Sequence, residues 1–273
     1  MKYSFVEDFD PCGAQGKLLA NVKPDSTVLE CGCASGYMTK YMKEKLNCLV
    51  YIVEYVKEGF DVAIQYAVDG ICGDLMNDKT LEHFDGIKFD CIMLADVLEH
   101  LTDPQRVMKK LSSLLKEDGV VLVSMPNVGH NDIAVKLLTG NWDYTSTGLL
   151  DDTHVHFWGV NNLDSFFEES GLKITVKDCI ETPTARTEQY DDKEFLIDEK
   201  IYSMIKDRID GEIYQFVLTL QKAEYVEKFG IEPIDKLPRV ASESLDTLSL
   251  RDLQIKISNL EGHIELLLQS ERR

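Results

Sequence analysis

The sequence lacks the long apolar segments of proteins that are inserted into membranes or exported across them. No apolar run approaches the ~18 residues that a transmembrane helix requires. Residues 1–8 turn acidic at once, without the apolar stretch of a signal peptide. We therefore predict a protein without membrane insertion that resides in the cytoplasm.

Positive charge and closely paired cysteines are also scarce. The 273 residues include 29 Lys and Arg against 48 Asp and Glu, which gives a formal net charge of −19 and a pI near 4.7. Such a protein repels phosphate backbones, so no nucleic acid is expected as a partner. The seven cysteines form no CxxC pair and lie mostly in apolar runs, which predicts reduced core residues rather than a zinc or redox site.

What the sequence does contain is an alternation of short β-rich apolar runs with helical stretches, which is typical of βαβ units around a parallel sheet. The pattern predicts seven strands, at 27–31, 49–53, 70–72, 89–94, 120–125, 173–180 and 212–221. It predicts helices at 36–45, 60–67, 104–115, 162–170 and 192–207. Residues 127–160 have little periodicity, which is typical of a functional lid over a substrate site.

The C-terminal part of the chain has a different pattern. Residues 222–243 have no clear period, which indicates a linker between a domain of residues 1–221 and a tail of residues 244–273. Apolar side chains in the tail recur at alternating spacings of three and four, as in a coiled-coil seam: Leu250, Leu253, Ile257, Leu260, Ile264 and Leu267. An amphipathic helix packed on its own domain is the alternative. A seam over 250–267 predicts a homodimer or a docking site, and because it continues almost to the last residue, we also consider a fragment of a longer protein.

The strongest local signal is the segment 28–37, Val-Leu-Glu-Cys-Gly-Cys-Ala-Ser-Gly-Tyr. A strand ending in Glu30 is followed by a turn of small residues, where the backbone can approach a ligand, and then by a helix N-terminus. Nucleotide-type cofactors bind at this edge of a doubly wound sheet. A dinucleotide fingerprint would have glycine in place of Ala34 and Tyr37, which disfavours hydride transfer. A tight turn without a ligand is the remaining alternative.

Three further acidic residues follow strands of the predicted sheet. Glu54 ends the second strand, where a carboxylate can accept both hydroxyls of a ribose, although taken alone it would be interpreted as a solvated charge. Asp74 follows the third strand, where it can accept from an adenine amine, and Asp96 closes the fourth. With Glu30 they place four carboxylates at four successive strand ends, which suits a ligand that carries positive charge.

With these motifs, the chain resembles the class I S-adenosylmethionine-dependent methyltransferases over about residues 16–221. The resemblance depends on the small-residue turn, Glu54, Gly73-Asp74-Leu75 and the segment 95–100, Ala-Asp-Val-Leu-Glu-His. It implies a Rossmann-like α/β fold with a seven-stranded sheet, and S-adenosyl-L-methionine as cofactor. The apolar spacing of the tail adds a C-terminal coiled-coil helix to this fold. The cofactor-binding residues that it implies are Glu30, Gly32, Cys33, Gly36, Tyr37, Glu54, Tyr55, Asp74, Leu75, Ala95 and Asp96.

A second resemblance is narrower. Residues 124–127 and 143–154 are similar to a bacterial branch of that family that is often found with, or fused to, glycosyltransferases of surface-glycan synthesis. This implies O-methylation of a sugar or glycan in cell-surface polysaccharide or glycoprotein synthesis, with the tail docking to a glycosyltransferase. The alternatives are N-methylation of a protein amino group, methylation of a small metabolite, and a non-catalytic module that recruits glycosyltransferases.

Two histidines are the candidate catalytic residues. A sugar hydroxyl that accepts a methyl group must lose its proton, and a positioned histidine contributes ~10²- to 10⁴-fold as general base. His154 and His156 lie two apart in a predicted extended segment, and therefore on one face. A hydrogen bond to backbone is the alternative role for either. Asp151 and Asp152 would complete a set of metal ligands with them, but we predict no metal site.

Overall fold

The computed structural model of the protein describes residues 9–190 and 199–238. The chain divides into two compact units, Met1–Pro238 and Arg239–Arg273. The second unit, which contains the heptad seam, lies outside the described residues, as does the first part of the helix predicted at 192–207. The coiled coil and its partners therefore stay predictions.

One mixed sheet of eight strands organises the described residues, in the order β3-β2-β1-β4-β5-β7-β6-β8. The strands β1 to β5 run parallel, and β7 is antiparallel to both of its neighbours. Their bounds are β1 Thr27–Cys31, β2 Leu49–Glu54, β3 Asp69–Cys72, β4 Phe89–Ala95, β5 Leu115–Pro126, β6 Leu172–Glu181, β7 Ile213–Lys222 and β8 Ile234–Asp235. The α/β prediction is confirmed, and the predicted count of seven strands is wrong by one.

The helices lie before, between and after these strands. Their bounds are α1 Ala14–Leu19, α2 Tyr37–Leu46, α3 Lys57–Ala63, α4 Asp78–Glu82, α5 Pro104–Leu114, α6 Asn131–Leu138, α7 Leu163–Glu168, α8 Glu199–Ile205 and α9 Ala223–Phe229. The start of α5 shows how the sequence sets a boundary: the Asp103 side chain accepts from the Arg106 N–H, and Pro104 occupies the first turn. None of the described helices is long and apolar enough to cross a membrane.

Apolar side chains cover both faces of the sheet. Along β1, Leu29 and Cys31 belong to one buried cluster and Val28 to another, as a parallel strand with helices on both faces requires. The seven cysteines are all free. The prediction that they are core residues is confirmed for five, which are buried, and wrong for Cys12 and Cys72, which are exposed. The buried five are Cys31, Cys33, Cys48, Cys91 and Cys179.

Helices α1 and α4 were not predicted, and the predicted linker and the predicted lid contain further elements. The predicted linker contains α9 and then β8, which pairs with β6 through Val176 and Ile234. A two-residue strand has no periodicity of its own, so only the neighbouring strand defines it. The predicted lid contains α6, whose N-cap is the buried His130: its Nδ1 accepts from the Asp132 N–H.

Candidate active site

The turn after β1 has a backbone that only small residues permit. Gly32 and Gly36 have φ of +74° and +78°, and Ala34 has φ of +49°, in the left-handed region. A Cβ atom at Gly32 would lie 2.6 Å from Val97 Cγ2, and one at Gly36 would lie 2.6 Å from Ala63 Cβ. The small residues therefore let the turn pack closely between α3 and the segment after β4.

The carboxylate of Glu54, at the end of β2, fixes the shape of this turn. Its Oε2 accepts from the Ala34 N–H at 2.7 Å, and its Oε1 accepts from the Val56 N–H at 2.8 Å. The side chain is buried. Because each carboxylate oxygen has a second lone pair, the predicted contact with ribose hydroxyls is chemically compatible with this structural role.

Glu30, the acidic residue near the end of β1, has an oxygen without a partner. The side chain is 1% exposed, its Oε2 accepts from the Thr39 hydroxyl at 2.5 Å, and its Oε1 has no hydrogen-bond partner among the described residues. Burial raises the pKa of Glu30 to about 8, although the Thr39 bond lowers it, and the negative charge of Glu54 raises it further. A buried carboxyl of this kind fits a cofactor that brings positive charge.

The other residues predicted around this turn have different environments. Cys33 is buried, and burial raises the pKa of its thiol, so it fills space and is not a reactive thiolate. Tyr37, at the start of α2, lies with its ring centroid 5.8 Å from that of Phe9. Tyr55 directly follows Glu54 and is highly exposed.

The segment after β3 contributes one polar and one apolar residue. Asp74 is exposed, and its Oδ1 accepts from the Met76 N–H at 2.8 Å in a local turn. Leu75 beside it is buried. The pair presents a carboxylate and an apolar surface at the same edge of the sheet as the small-residue turn.

Asp96 connects the end of β4 to two other strands. Ala95 is the last residue of β4, and Asp96 after it has φ of +54°, an uncommon backbone conformation that clusters at functional sites. Its Oδ1 accepts from the Ser124 hydroxyl at 3.0 Å and from the Gln215 amide. Burial raises the pKa of Asp96, although these two hydrogen bonds lower it.

A second cluster of polar side chains follows Asp96 directly. Glu99, His100 and His154 each offer one atom that can bind a metal, and these atoms all lie within 4.8 Å of one another. Glu99 is 1% exposed, and its Oε2 has no hydrogen-bond partner among the described residues. Burial raises the pKa of Glu99 well above its ordinary value, and the nearby charges of Asp96 and Asp151 add to the shift.

The hydrogen bonds of the two histidines in this cluster define their neutral tautomers. His100 Nδ1 lies 3.0 Å from Thr153 Oγ1, whose own proton is donated to Asp151 Oδ1 at 2.6 Å. His154 Nδ1 lies 3.3 Å from the carbonyl oxygen of Leu149. Because neither of these oxygens has a proton to give, each Nδ1 donates, and in the neutral form of either imidazole Nε2 is the acceptor nitrogen.

The two predicted catalytic histidines have different neighbours. The ring centroid of His154 lies 4.8 Å from that of His100, whereas the ring of His156 lies 5.8 Å from that of Trp158. His156 Nε2 donates to the Thr102 carbonyl oxygen at 3.2 Å. The structure therefore brings His154, and not His156, into the cluster with Glu99.

The backbone of Glu99 also forms hydrogen bonds with the lid. Its carbonyl oxygen accepts from the N–H groups of Val155 and His156 at 2.8 and 3.2 Å. Of the four lid residues weighed as metal ligands, His154 alone belongs to the cluster with Glu99 and His100, and Asp152 is exposed.

The first residues of the lid contain a buried polar network that was not predicted from the sequence. Asp132 is completely buried, and its carboxylate accepts from the Ala185 N–H at 2.6 Å, the Thr187 N–H at 3.2 Å and the Thr187 hydroxyl at 2.6 Å. Asn127, His130 and Asn131 are buried beside it in the sequence. The concentration of polar residues over 127–132 was a usable signal, but the partners lie more than fifty residues away.

Comparisons with known proteins agree with this geometry. The family model described as a methyltransferase domain matches residues 11–176. A ubiquinone biosynthesis O-methyltransferase from Glaesserella parasuis is 31% identical over 152 residues, which cover 53% of this chain and 60% of that protein. A probable (S)-tetrahydroprotoberberine N-methyltransferase from Papaver bracteatum is 31% identical over 115 residues, which cover 38% of this chain and 30% of that protein. The chain thus spans less than two thirds of the relatives that it matches.

Among solved structures, a chain of the complex between the Haloferax volcanii Trm112 methyltransferase activator and a methyltransferase is similar. It aligns with a TM-score of 0.51 and 17% identity, covering 77% of this chain and 89% of that chain. This similarity shows a shared fold.

Proposed function

The chain belongs to the class I S-adenosylmethionine-dependent methyltransferases, and from this premise we propose that it methylates a hydroxyl oxygen of a sugar or glycan. The observation that carries the proposal is the cluster of Glu99, His100 and His154 beside Asp96. A hydroxyl oxygen needs help to lose its proton before it attacks, and this cluster supplies groups that can accept or stabilise charge. A cytoplasmic location stays part of the proposal.

S-adenosylmethionine supplies, when bound, a methyl group on a positively charged sulfur. Glu30 and Glu54, with the backbone of the turn between them, would hold it, because the unpartnered buried oxygen of Glu30 suits a cationic ligand. Asp74 and Leu75 would border its base, and Ala95 and Asp96 its sulfur side. The small residues let the turn pack closely against Val97 and Ala63, and its backbone would approach the ligand.

In the proposed reaction the protein mainly aligns the acceptor. The acceptor oxygen forms a bond to the methyl carbon as the carbon–sulfur bond breaks, and the electron pair of that bond stays on sulfur. The hydroxyl proton passes to His154 Nε2, which is the acceptor nitrogen of the neutral imidazole because Nδ1 donates to the Leu149 carbonyl oxygen. Alignment of this kind lowers barriers by ~7 to 11 kcal/mol where orientation is good.

Exposed aromatic residues support a sugar acceptor. Trp142 and Tyr144, both exposed, lie in the lid with ring centroids 6.4 Å apart, and Trp142 also lies 6.0 Å from Phe157. Aromatic rings combine a large apolar face with a polar edge, which matches the alternating apolar and hydroxyl-bearing surfaces of a sugar.

N-methylation is the second candidate function, because relatives named as N-methyltransferases match over 115 residues at 31% and 32% identity. Incubation of the protein with isotope-labelled S-adenosylmethionine and panels of glycans, sugar nucleotides and amines, followed by mass spectrometry, separates the two. One labelled methyl on a sugar oxygen supports the proposal. Label on nitrogen only, or on no sugar in the panel, contradicts it.

The role of His154 has its own test. We expect His154→Ala to lower turnover by about 10²-fold or more while the affinity for S-adenosylhomocysteine, measured by calorimetry, stays within about twofold. His83→Gln is the matched control, because His83 is exposed and pairs with Asp69 at 3.0 Å, away from the cluster. Normal turnover in His154→Ala with loss in His156→Ala would move the role to His156.

A further inference from the structure

We propose that Glu99, His100 and His154 bind a divalent transition-metal cation, of the class of Zn²⁺ or Mn²⁺. The three residues join two parts of the chain, the turn after β4 and the lid. They offer one carboxylate and two imidazoles with ligand atoms within 4.8 Å of one another.

The ligand set and its spacing are those of an open metal site. Two histidines and one carboxylate bind Zn²⁺ or Fe²⁺ in catalytic sites, and further coordination positions stay available to water or substrate. Bonds of ~2.1 Å to a tetrahedral ion separate ligand atoms by roughly 3.4 Å. The ligand atoms here are at most 4.8 Å apart. Small side-chain rotations that bring them closer by about 1.4 Å or less would therefore place them around an ion.

The hydrogen bonds on the far side of each imidazole favour binding. His100 Nδ1 donates to Thr153, which is bonded to Asp151, and His154 Nδ1 donates to the Leu149 carbonyl. Metal-binding histidines almost always donate their other ring N–H to a carbonyl, carboxylate or similar acceptor, which fixes the tautomer and the ring orientation. In the neutral form of either imidazole, the nitrogen that can bind a metal is therefore Nε2.

The environment of Glu99 is an independent reason to expect a bound cation. Its side chain is almost completely buried, and its Oε2 has no hydrogen-bond partner among the described residues. Asp96 and Asp151 add negative charge around it. Buried polar atoms are normally bonded, and a cation in this position would satisfy the oxygen and offset the carboxylate charges.

The consequence for chemistry rests on the proposed function, whereas cation binding itself does not. An open coordination position would take the acceptor oxygen and lower the pKa of its hydroxyl. His154 Nε2 cannot bind an ion and accept a proton at the same time. A bound cation would therefore promote deprotonation in place of His154, which would act as its ligand, and the hydroxyl proton would pass to solvent water.

The test is titration of the chelator-treated full chain with Mn²⁺ and Zn²⁺ by calorimetry, and with Co²⁺ by visible absorption. We expect one ion per chain. Glu99→Gln and His154→Ala should each weaken binding by about 100-fold or more, and Thr153→Val, which removes the partner of His100, by ~10- to 100-fold. His83→Gln should bind as the wild type does. Circular dichroism and binding of S-adenosylhomocysteine establish that each variant is folded.

Two results would overturn the proposal. One is a wild-type chain that binds S-adenosylhomocysteine but takes up no ion. The other is a folded set of variants that bind the ion as tightly as the wild type. Neither result depends on the methylation assay. A protein that binds the ion but methylates no sugar would contradict the proposed function and not the metal site.

Discussion

Two regions of the molecule, the cofactor edge and the lid, contain the same contrast between buried carboxylates. At the cofactor edge, at the ends of β1 and β2, Glu54 has both oxygens bonded to backbone N–H groups, whereas Glu30 has an unpartnered oxygen. In the lid Asp132 is fully bonded, whereas Glu99, in the turn after β4 that the lid contacts, has an unpartnered oxygen. A satisfied carboxylate shapes the backbone around it, and an unsatisfied one is available to a cationic ligand.

The regions differ in how far apart their bonded partners lie in the sequence. Glu54 bonds to Ala34, twenty residues away, across two adjacent parallel strands. Asp132 bonds to Ala185 and Thr187, more than fifty residues away, on a segment that follows β6. The cofactor edge is thus built by neighbouring βαβ units, while the lid depends on packing between distant segments.

The largest expected effect tests Asp132 as a shaping carboxylate. Asp132→Ala removes the acceptor of three buried donors, and we expect a loss of about 3 to 5 kcal/mol in the free energy of unfolding, measured in urea. Asp132→Asn keeps one acceptor oxygen and should lose less. A loss below about 1 kcal/mol in the free energy of unfolding of Asp132→Ala would show that Asp132 does not shape the backbone as Glu54 does.

The next effect tests Glu30 as a ligand-binding carboxyl. Its pKa is about 8 in the folded protein and about 4.5 when unfolded, so the folded state keeps a proton that the unfolded state loses, and stability falls as pH rises through this range. Glu30→Gln removes the titration. We expect it to be more stable than the wild type by on the order of 4 kcal/mol near pH 9, equally stable near pH 4, and weaker in binding S-adenosylhomocysteine.

Urea unfolding at both pH values and calorimetry with S-adenosylhomocysteine check this prediction. Thr39→Val, which removes the bond to Oε2 but keeps the carboxyl, is the control and should retain the alkaline loss of stability. If Glu30→Gln and the wild type have equal free energies of unfolding near pH 9, the folded protein tolerates the ionised Glu30 carboxylate without a bound ligand.

The smallest effect compares two residues that the sequence assigns to the same cofactor. Glu54→Ala should weaken the binding of S-adenosylhomocysteine by about 2 to 3 kcal/mol, because the turn at Ala34 loses its support as well as a ligand contact. Asp74→Ala should cost about 1 kcal/mol, because Asp74 is exposed and bonds only within its own turn. Calorimetry on both variants measures the difference, and an equal loss would contradict the separate role of Glu54.

Much of the fold was predictable, because strands β1 to β7 coincide with short β-rich apolar runs in the sequence. Predicted strand ends agree with the structure to within one or two residues, except for β5, which begins at Leu115 rather than 120. The two-residue strand β8 was not predictable, because its identity as a strand depends on pairing with β6. The helix α6 within the lid was also missed, since its eight residues have no long period.

The sequence by itself determined the edge of the sheet at which the cofactor is predicted to bind. A strand, a turn of small residues and an acidic residue at the next strand end are enough, because parallel neighbours bring their carboxyl ends to one edge of the sheet. Only the tertiary structure decided which histidine joins Glu99. His154 and His156 are two apart in sequence, yet the bonds of residues 155 and 156 to the Glu99 carbonyl turn the segment so that one ring meets His100 and the other Trp158. Contacts between segments more than fifty residues apart have no local signature, and folding alone establishes them.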